Sequence, residues 1–431
     1  MRVAFFTLGC KVNQYETDLM MKNFIDNGYE IVDFDQKSDI YIINSCSVTN
    51  LSTRKTRQYL SKAKRNGGIV VLAGCYAQEI KGKEDLKNVD IVIGNQEKND
   101  VVQLVEKYIT HHRGDHKILY KIGEIGKQKK YIQTNQLEQG VNIRESIKIE
   151  DGCNNFCSYC IIPYVRGRVR SRNLNDILDE IKMLVKNGVG EIVLVGIEIA
   201  SYGKDLEENI SLIDVVERVS CIDGLKRIRL GSLEPRILTD DNIIRLSKIK
   251  NLCPHFHISV QSLNNHVLKN MNRKYTKEDL FHITDMIRCY FSDVAFTCDI
   301  IVGFPGETDD EFKETIENVK KIGFYEVHCF KYSKRKWTRA ATMENQVEGK
   351  IAQRRSEELI SLAKFQKEEY MKSYIGQNIE VLFESFQDGF LYGYTKNYIK
   401  VRVRGEKRYV GECINVNIEN IDEDLLYGVI K

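Results

Sequence analysis

"EDGCNNFCSYC", residues 150–160, sets Cys153, Cys157 and Cys160 at a C-x-x-x-C-x-x-C spacing. Three thiols within eight residues, on a loop too short to spread them, can all face one ion or cluster. A structural zinc site wants a fourth Cys or His, usually in a second pair about a dozen or more residues on, and no such pair follows. A 4Fe-4S cluster held by three cysteines leaves one iron open to bind and activate a small molecule. The alternative is a chance group of buried thiols.

Outward from this loop the chain alternates strands and helices. From 145 to about 335, strands are predicted at "ESIKIE", "EIVLVGIE", "RIRLGSL", "HFHISVQS", "AFTCDIIVG" and "YEVHCFKY", separated by helices such as "NLNDILDEIKMLVKNG" and "DDEFKETIENVKKIG". Six β-α units in a row predict a partial or full β/α barrel, with its active site at the carboxyl ends of the strands. The long charged helix "VEGKIAQRRSEELISLAKFQKEEYMKSYIG" closes this domain, taken as residues 141–370.

Residues 1–105 show the same rhythm: "RVAFFTL", "DIYIINS", "GIVVLAG" and "DIVIGN" read as buried parallel strands, with "YETDLMMKNFIDNG" among the helices. Cys10, Cys46 and Cys75 follow the first three of these strands. Groups so placed collect on one edge of a parallel sheet, beyond the strand ends. The lysine-rich stretch 106–140 lacks a sustained period and reads as a linker or hairpin. Residues 371–431, with short strands broken by Gly and Asn turns, predict a small β-barrel of oligonucleotide-binding type.

The 431 residues exceed one ordinary core and suit two or three domains. With 29% charged and 42% apolar residues, and no apolar run of ~20, the chain reads as soluble, without a membrane partner. "MRVAFFTLGC" reaches polar residues too early for a signal peptide, so a cytoplasmic location is expected. There, twelve cysteines are metal ligands or buried thiols rather than disulfides. The net charge of +3 conceals basic clusters at 54–65, 166–172, 331–339 and 396–408, three of them with Tyr or Trp among the cations. Each is either a solvated face or a place for phosphate contacts and base stacking.

The cysteine spacing, with the aromatic Tyr159 before Cys160, is the signature of the radical S-adenosylmethionine superfamily. "LGCKVNQYET", "NSCSVT", "LAGCYAQ", "GCNNFCSYCIIPYVRGRVRSR", "GFPGET" and the TRAM-like carboxyl-terminal barrel together resemble the methylthiotransferases over essentially the whole chain. The opening motif resembles the branch acting on N6-threonylcarbamoyladenosine in tRNA. The fold implied is α/β: an amino-terminal parallel α/β domain, a central radical-SAM partial β/α barrel and a small TRAM-like β-barrel.

The resemblance implies two 4Fe-4S clusters. One, on Cys153, Cys157 and Cys160, would cleave S-adenosylmethionine reductively to a deoxyadenosyl radical. Radical chemistry is needed because an aromatic C–H offers no acidic proton to a side-chain base. The other, on Cys10, Cys46 and Cys75, would carry the sulfur, which is methylated by another S-adenosylmethionine before its transfer. A flavodoxin- or ferredoxin-type electron donor and a sulfur donor are expected partners. Gly196 and Glu198, Ser232 and Glu234, Gln261, and Gly303 and Gly306 are candidate cofactor contacts at successive strand ends. The structural alternative for Ser232 is a helix cap. Arg166, Arg168, Arg170 and Arg172 are candidates for phosphate or the threonylcarbamoyl carboxylate, and Lys400, Arg402 and Arg404 for RNA.

Two departures from the related sequences stand out. Leu263 occupies a position where a glycine is usual, and Lys331, Trp337 and Arg339 replace a stiff Pro/Gly turn by a basic, aromatic one. Cys221, Cys253, Cys289, Cys298, Cys329 and Cys413 read as buried thiols, and His255 and His257 as a packed or hydrogen-bonded pair. "HHRGDH" (111–116) reads as a solvated stretch of linker. A close rival keeps the chemistry and changes the substrate, to isopentenyladenosine or a ribosomal-protein aspartate; a rival of another class is a non-catalytic iron-sulfur or zinc-stabilised RNA-binding protein whose metal only folds it.

Overall fold

A computed structural model describes residues 1–81, 86–111, 117–132 and 142–430. The helix α1 (Lys11–Asp26) shows how the first domain forms: Val12, Tyr15, Leu19, Met20 and Phe24 recur at helical spacing and are buried. It follows β1 (Arg2–Thr7) and leads to β2 (Glu30–Val32), β3 (Ile40–Ser45), α2 (Asn50–Arg65), β4 (Ile69–Gly74), α3 (Cys75–Ile80), β5 (Ile91–Ile93), α4 (Val101–His111) and β6 (Leu119–Lys121). The sheet is wholly parallel, in the order β2-β1-β3-β4-β5-β6. Every residue of β3 is buried, as expected for a central strand covered on both faces.

In this sheet two strands escape the sequence reading, β2 and β6, each only three residues long; elsewhere the short strands Glu150–Asp151 and Arg170–Ser171 and the last strand, Leu425–Ile430, escape it too. The stretch expected to be a linker over 106–140 contributes the end of α4 and the edge strand β6. Residues 112–116, which hold most of "HHRGDH", lie outside the described residues.

Next come β7 (Arg144–Lys148), β8 (Glu150–Asp151), α5 (Ile162–Val165) and β9 (Arg170–Ser171). After them the β-α alternation is regular: α6 (Leu174–Lys186), β10 (Glu191–Val195), α7 (Leu212–Ser220), β11 (Arg227–Leu230), α8 (Asp240–Ser247), β12 (His255–Gln261), α9 (Asn265–Asn270), α10 (Lys277–Tyr290), β13 (Ala295–Val302), α11 (Asp309–Ile322), β14 (Glu326–Lys331) and α12 (Gly349–Lys372). The six predicted strands are all present, as parallel sheets β11-β10-β7 and β12-β13-β14. Single bridges, Ile228 to Leu252 and Leu233 to Ile258, carry the first sheet toward the second. The result is a partial β/α barrel. The last strands, β15 (Asn378–Gln387), β16 (Phe390–Thr395), β17 (Lys400–Arg404), β18 (Cys413–Asp422) and β19 (Leu425–Ile430), close into a five-stranded barrel.

The described residues divide into two compact units that do not follow chain order. One holds 1–137, 150–172 and 333–341, and the other holds 138–149, 173–332 and 342–431. The cysteine loop thus folds with the amino-terminal sheet rather than with the barrel that flanks it in sequence. Likewise the small carboxyl-terminal barrel folds with the β/α barrel.

Within that second unit the small barrel packs on the amino ends of the β/α strands. Arg227, first in β11, donates to the Tyr394 carbonyl (2.7 Å) and to Glu380 Oε1 (3.0 Å). Arg144, first in β7, lies 4.6 Å from the ring centre of Tyr394, and the buried Arg229 sits 4.3 Å over Tyr398 while paired with Glu191 at 2.7 Å. Ala295, which opens β13, shares a core with Val381, Phe383 and Val401.

Candidate active site

Three adjacent strands bring the first three cysteines to one edge. Thr7 of β1 is in register with Asn44 of β3, and Ser45 of β3 with Gly74 of β4, so Cys10, Cys46 and Cys75 leave neighbouring strand ends. The unforeseen β2 lies outside β1 and does not intervene. Spacing is tight: a Cβ on Gly9 would sit 2.8 Å from Cys46 Cβ. Burial, then the neighbouring Cys75, push the Cys46 thiol up to about 12. Desolvation raises Cys10 as well, with the Arg166 guanidinium opposing the rise. A thiol so raised is released as thiolate only to a cation or cluster.

The second triad hangs from the β8–β9 hairpin. Cys153 N donates to the Gly167 carbonyl (3.0 Å) and Cys160 N to the Cys157 carbonyl (3.0 Å). Gly152 has φ +92°, and a Cβ there would lie 2.0 Å from the Arg168 carbonyl oxygen, so only glycine lets the two hairpin arms meet. Phe156, inside the loop, takes φ +46° and lies under the Arg168 guanidinium at 4.4 Å.

Both triads belong to the first unit, and a buried polar network joins them. Arg166 donates from Nη1 to Glu16 Oε1 (2.6 Å) and from Nη2 to Asn13 Oδ1 (2.6 Å), both on the helix that begins after Cys10. Its Nη1 also reaches Asp151 Oδ1 at 3.2 Å, and Lys98 pairs with Glu16 from the other side. Asn95 Nδ2 donates to the Val165 carbonyl (2.8 Å) and lies 3.7 Å from Cys75 Sγ. Cys75 packs with Ile161 and Val165. The segment 333–341 touches both loops: Arg335 Nε donates to the Val48 carbonyl (3.2 Å) and Ala340 N to the Ser158 carbonyl (2.7 Å).

Three of the four arginines expected at phosphates are therefore interior. Arg166, Arg170 and Arg172 are each at most 3% exposed, held by Glu16, Asp151 and Tyr15. Burying an arginine demands such partners, and a run of four in sequence could not reveal that they exist elsewhere in the chain. Arg168 alone is at the surface. Of the six remaining cysteines, Cys253 and Cys298 are buried and Cys329 and Cys413 half-buried, but Cys221 and Cys289 are exposed, at the end of α7 and in the last turn of α10. His255 and His257 share Thr297 Oγ1 between them, at 3.3 and 2.8 Å.

The second unit carries the cofactor candidates at the carboxyl ends of its strands, opposite the small barrel. Gly196 follows β10, Ser232 lies beyond β11, Gln261 ends β12 and Gly303 follows β13. Burial, then the nearby Glu234 charge, push the Glu198 carboxyl up to about 7, against the opposing pull of Arg273. Glu234 itself receives Arg236 N and Nε, and it, not Ser232, caps the short helical turn that follows. Gln261 takes φ +64°, a strained value for a non-glycine residue. Gly303 is needed by the fold as well, since a Cβ there would meet Ala352 of α12 at 2.7 Å, whereas at Gly306 nothing lies within 4 Å. Leu263, 0% exposed, is packed inward and occupies core rather than an open approach. On the small barrel, Lys400 and Arg404 are exposed and Arg402 pairs with Asp422.

Asn13, Glu16 and Asn95 were missed from sequence. Asn13 and Glu16 are polar residues on the buried stripe of an amphipathic helix, and that mismatch is the signal that marks them.

A family profile described as the radical SAM superfamily matches residues 147–319, a TRAM domain matches 372–431, and a family described as uncharacterized, UPF0004, matches 2–94. The chain is 38% identical to the threonylcarbamoyladenosine tRNA methylthiotransferase MtaB of Bacillus subtilis over 94% of this chain and 90% of that protein. It belongs to the radical S-adenosylmethionine tRNA methylthiotransferases. Identity to the MtaB of Aquifex aeolicus is 35%, over 94% of this chain and 98% of that one. To the tRNA-2-methylthio-N(6)-dimethylallyladenosine synthase of Lachnoclostridium phytofermentans it is 36%, over 93% and 89%. Among solved structures, the radical S-adenosylmethionine methyltransferase TsrM of Kitasatospora setae superposes with a TM-score of 0.56 at 13% identity, covering 79% of this methylthiotransferase and 74% of that chain, and shares the fold. Membership implies a 4Fe-4S cluster and S-adenosylmethionine, and the Cys153, Cys157 and Cys160 donor set fits such a cluster with one iron left open. Among the described residues no helix is long and apolar enough to cross a membrane.

Proposed function

We propose that this enzyme methylthiolates N6-threonylcarbamoyladenosine beside the anticodon of tRNA, giving the 2-methylthio derivative. The joining of two three-cysteine sets within one compact unit through Arg166, Glu16 and Asn13 supports the two-cluster chemistry, and the 38% identity to the MtaB of Bacillus subtilis carries the choice of base. A metal site that merely folded an RNA-binding domain would need one such set, with a closed ligand shell. When bound, the two 4Fe-4S clusters and S-adenosylmethionine supply the radical and the methylated sulfur. Cys153, Cys157 and Cys160 would hold one cluster, and Cys10, Cys46 and Cys75 the other.

Around them the chain's own groups position and solvate. Glu198, once ionised, offers an anionic partner to the methionine ammonium, and Gln261 stands at the end of β12, two strands further on. Arg166 and Lys98 set positive charge beside the sulfur-carrying set. A flavodoxin- or ferredoxin-type protein provides electrons, a separate sulfur donor replenishes the consumed atom, and the reaction takes place in the cytoplasm, where tRNA is. Lys400, Arg402 and Arg404 contribute to RNA binding on the small barrel.

A second reading keeps the chemistry and changes the base to isopentenyladenosine, favoured by the 36% identity to a dimethylallyladenosine synthase. Mass spectrometry of tRNA nucleosides, from a host lacking its own enzyme and supplied with this chain, separates them. Appearance of 2-methylthio-N6-threonylcarbamoyladenosine alone supports the first reading. Modified isopentenyladenosine replaces it with the second.

A further inference from the structure

A groove of about 780 Å³ runs along α2 in the first unit, and no step of the proposed chemistry accounts for it. Arg54, Arg57 and Arg65 are exposed along it, at offsets of three and eleven residues that keep them on one side of the helix. Lys334 and Lys336, also exposed, line it from the segment 333–341. Arg335 between them is turned inward, 6% exposed, and bonded to the Val48 carbonyl, Thr53 Oγ1 and Ser333 Oγ. That anchor fixes the segment against the start of α2 and leaves its two lysines facing out. Glu79 is the one acid among the described lining residues.

The same segment then displays Trp337, the one tryptophan of the chain, 48% exposed at φ +67°. A bulky residue in the left-handed region is strained, and here the strained position presents an indole to solvent. Its ring centre lies 6.4 Å from Tyr164, itself 38% exposed. Tyr164 meets Phe156 edge-on at 5.9 Å, and Arg168 caps Phe156. A row of three aromatic rings ending in a guanidinium thus lies along the loop that carries Cys157 and Cys160.

Cations spaced along a groove suit successive phosphates, and exposed rings beside them suit bases that are not paired. An acidic protein partner is the alternative occupant, and the titration below separates it from RNA. We propose that α2 and residues 333–341 form a docking groove for single-stranded RNA, in which the arginines and lysines hold phosphates and Trp337 and Tyr164 stack an unpaired nucleotide flanking the target adenosine. The proposal rests on the tRNA reading above and adds where the loop is gripped.

Trp337 reports on itself, because its fluorescence is the only indole signal of the chain. Titration of the full-length wild type with an anticodon stem-loop RNA bearing N6-threonylcarbamoyladenosine should quench it. Trp337→Ala should weaken binding about 5- to 150-fold, the range of one lost base stack, and Trp337→Phe should restore most of it. Arg54→Ala with Lys334→Ala should lower the slope of log affinity against log salt by about 1 to 2. All these side chains are exposed, and unchanged circular dichroism and melting confirm that each variant is folded. If wild type binds and modifies the RNA while the variants match its affinity and salt slope, the groove proposal is overturned and the tRNA reading stands. If wild type neither binds nor modifies any tRNA loop, that reading falls first. Quenching by a flavodoxin-type protein but not by RNA also overturns the proposal.

Discussion

Arg166 and Glu16, 150 residues apart, form a buried pair at 2.6 Å in which the guanidinium is 0% and the carboxylate 8% exposed. Arg166 follows the second cysteine set and Glu16 lies on the helix after Cys10 of the first, so this contact ties the segments that carry the two sets. Arg166→Met takes one of two cations from each buried carboxylate, since Glu16 keeps Lys98 and Asp151 keeps Arg170. A loss of about 1.5–3 kcal/mol, that of hydrogen bonds to charged groups, is expected in urea unfolding of the apoprotein. A loss below about 1 kcal/mol would show that the network does not hold the first unit together.

The two sets should be separable by activity. Cys157→Ala should abolish S-adenosylmethionine cleavage, read as deoxyadenosine formed under reducing conditions. Cys46→Ala should retain cleavage and stop methylthio transfer to tRNA. Modified tRNA from either variant would defeat the division of labour.

Gly152→Ala tests the hairpin that carries the second set. With φ at +92° and a carbonyl oxygen 2.0 Å from the new Cβ, the loop must shift. About half of the reconstituted iron should be lost, with S-adenosylmethionine cleavage going first. Full iron content in this variant would mean that the loop tolerates a different path.

Glu198 gives a pH dependence of defined sign. Its carboxyl is raised from an ordinary 4.5 to about 7, burial being the main cause, so the folded state favours the protonated form. The stability it contributes is fully present below about pH 4.5 and is lost as pH rises through about 7. A methionine ammonium prefers the ionised carboxylate, so S-adenosylmethionine affinity should rise between pH 6 and about 7.5, with proton release on binding. Calorimetry in two buffers of different ionisation heat reads that release directly. Glu198→Gln should abolish it, weaken binding by about tenfold or more, and make the apoprotein relatively more stable at pH 8. A flat affinity profile for wild type would remove Glu198 from the cofactor site.

The local pattern determined much about this protein. The C-x-x-x-C-x-x-C spacing, the six barrel strands and the placing of Cys10, Cys46 and Cys75 after strands all depend on short-range periodicity, which a chain displays residue by residue. Strands of three residues such as β2 and β6 are too short to show a period, and pairing with a neighbour alone creates them.

Tertiary structure decided what depends on partners distant in the chain. It assigned the cysteine loop to the amino-terminal sheet, and it turned Arg166, Arg170 and Arg172 inward because Glu16, Asp151 and Tyr15 were there to receive them. The same logic holds Arg335 inside and leaves Lys334, Lys336 and Trp337 facing out. A charged side chain reads alike in sequence whether it meets water or a buried carboxylate. Its desolvation is repaid only where folding supplies an opposite charge or hydrogen-bond acceptors, as Tyr15 does for Arg172 and Val48, Thr53 and Ser333 do for Arg335, and that is a property of three-dimensional neighbours.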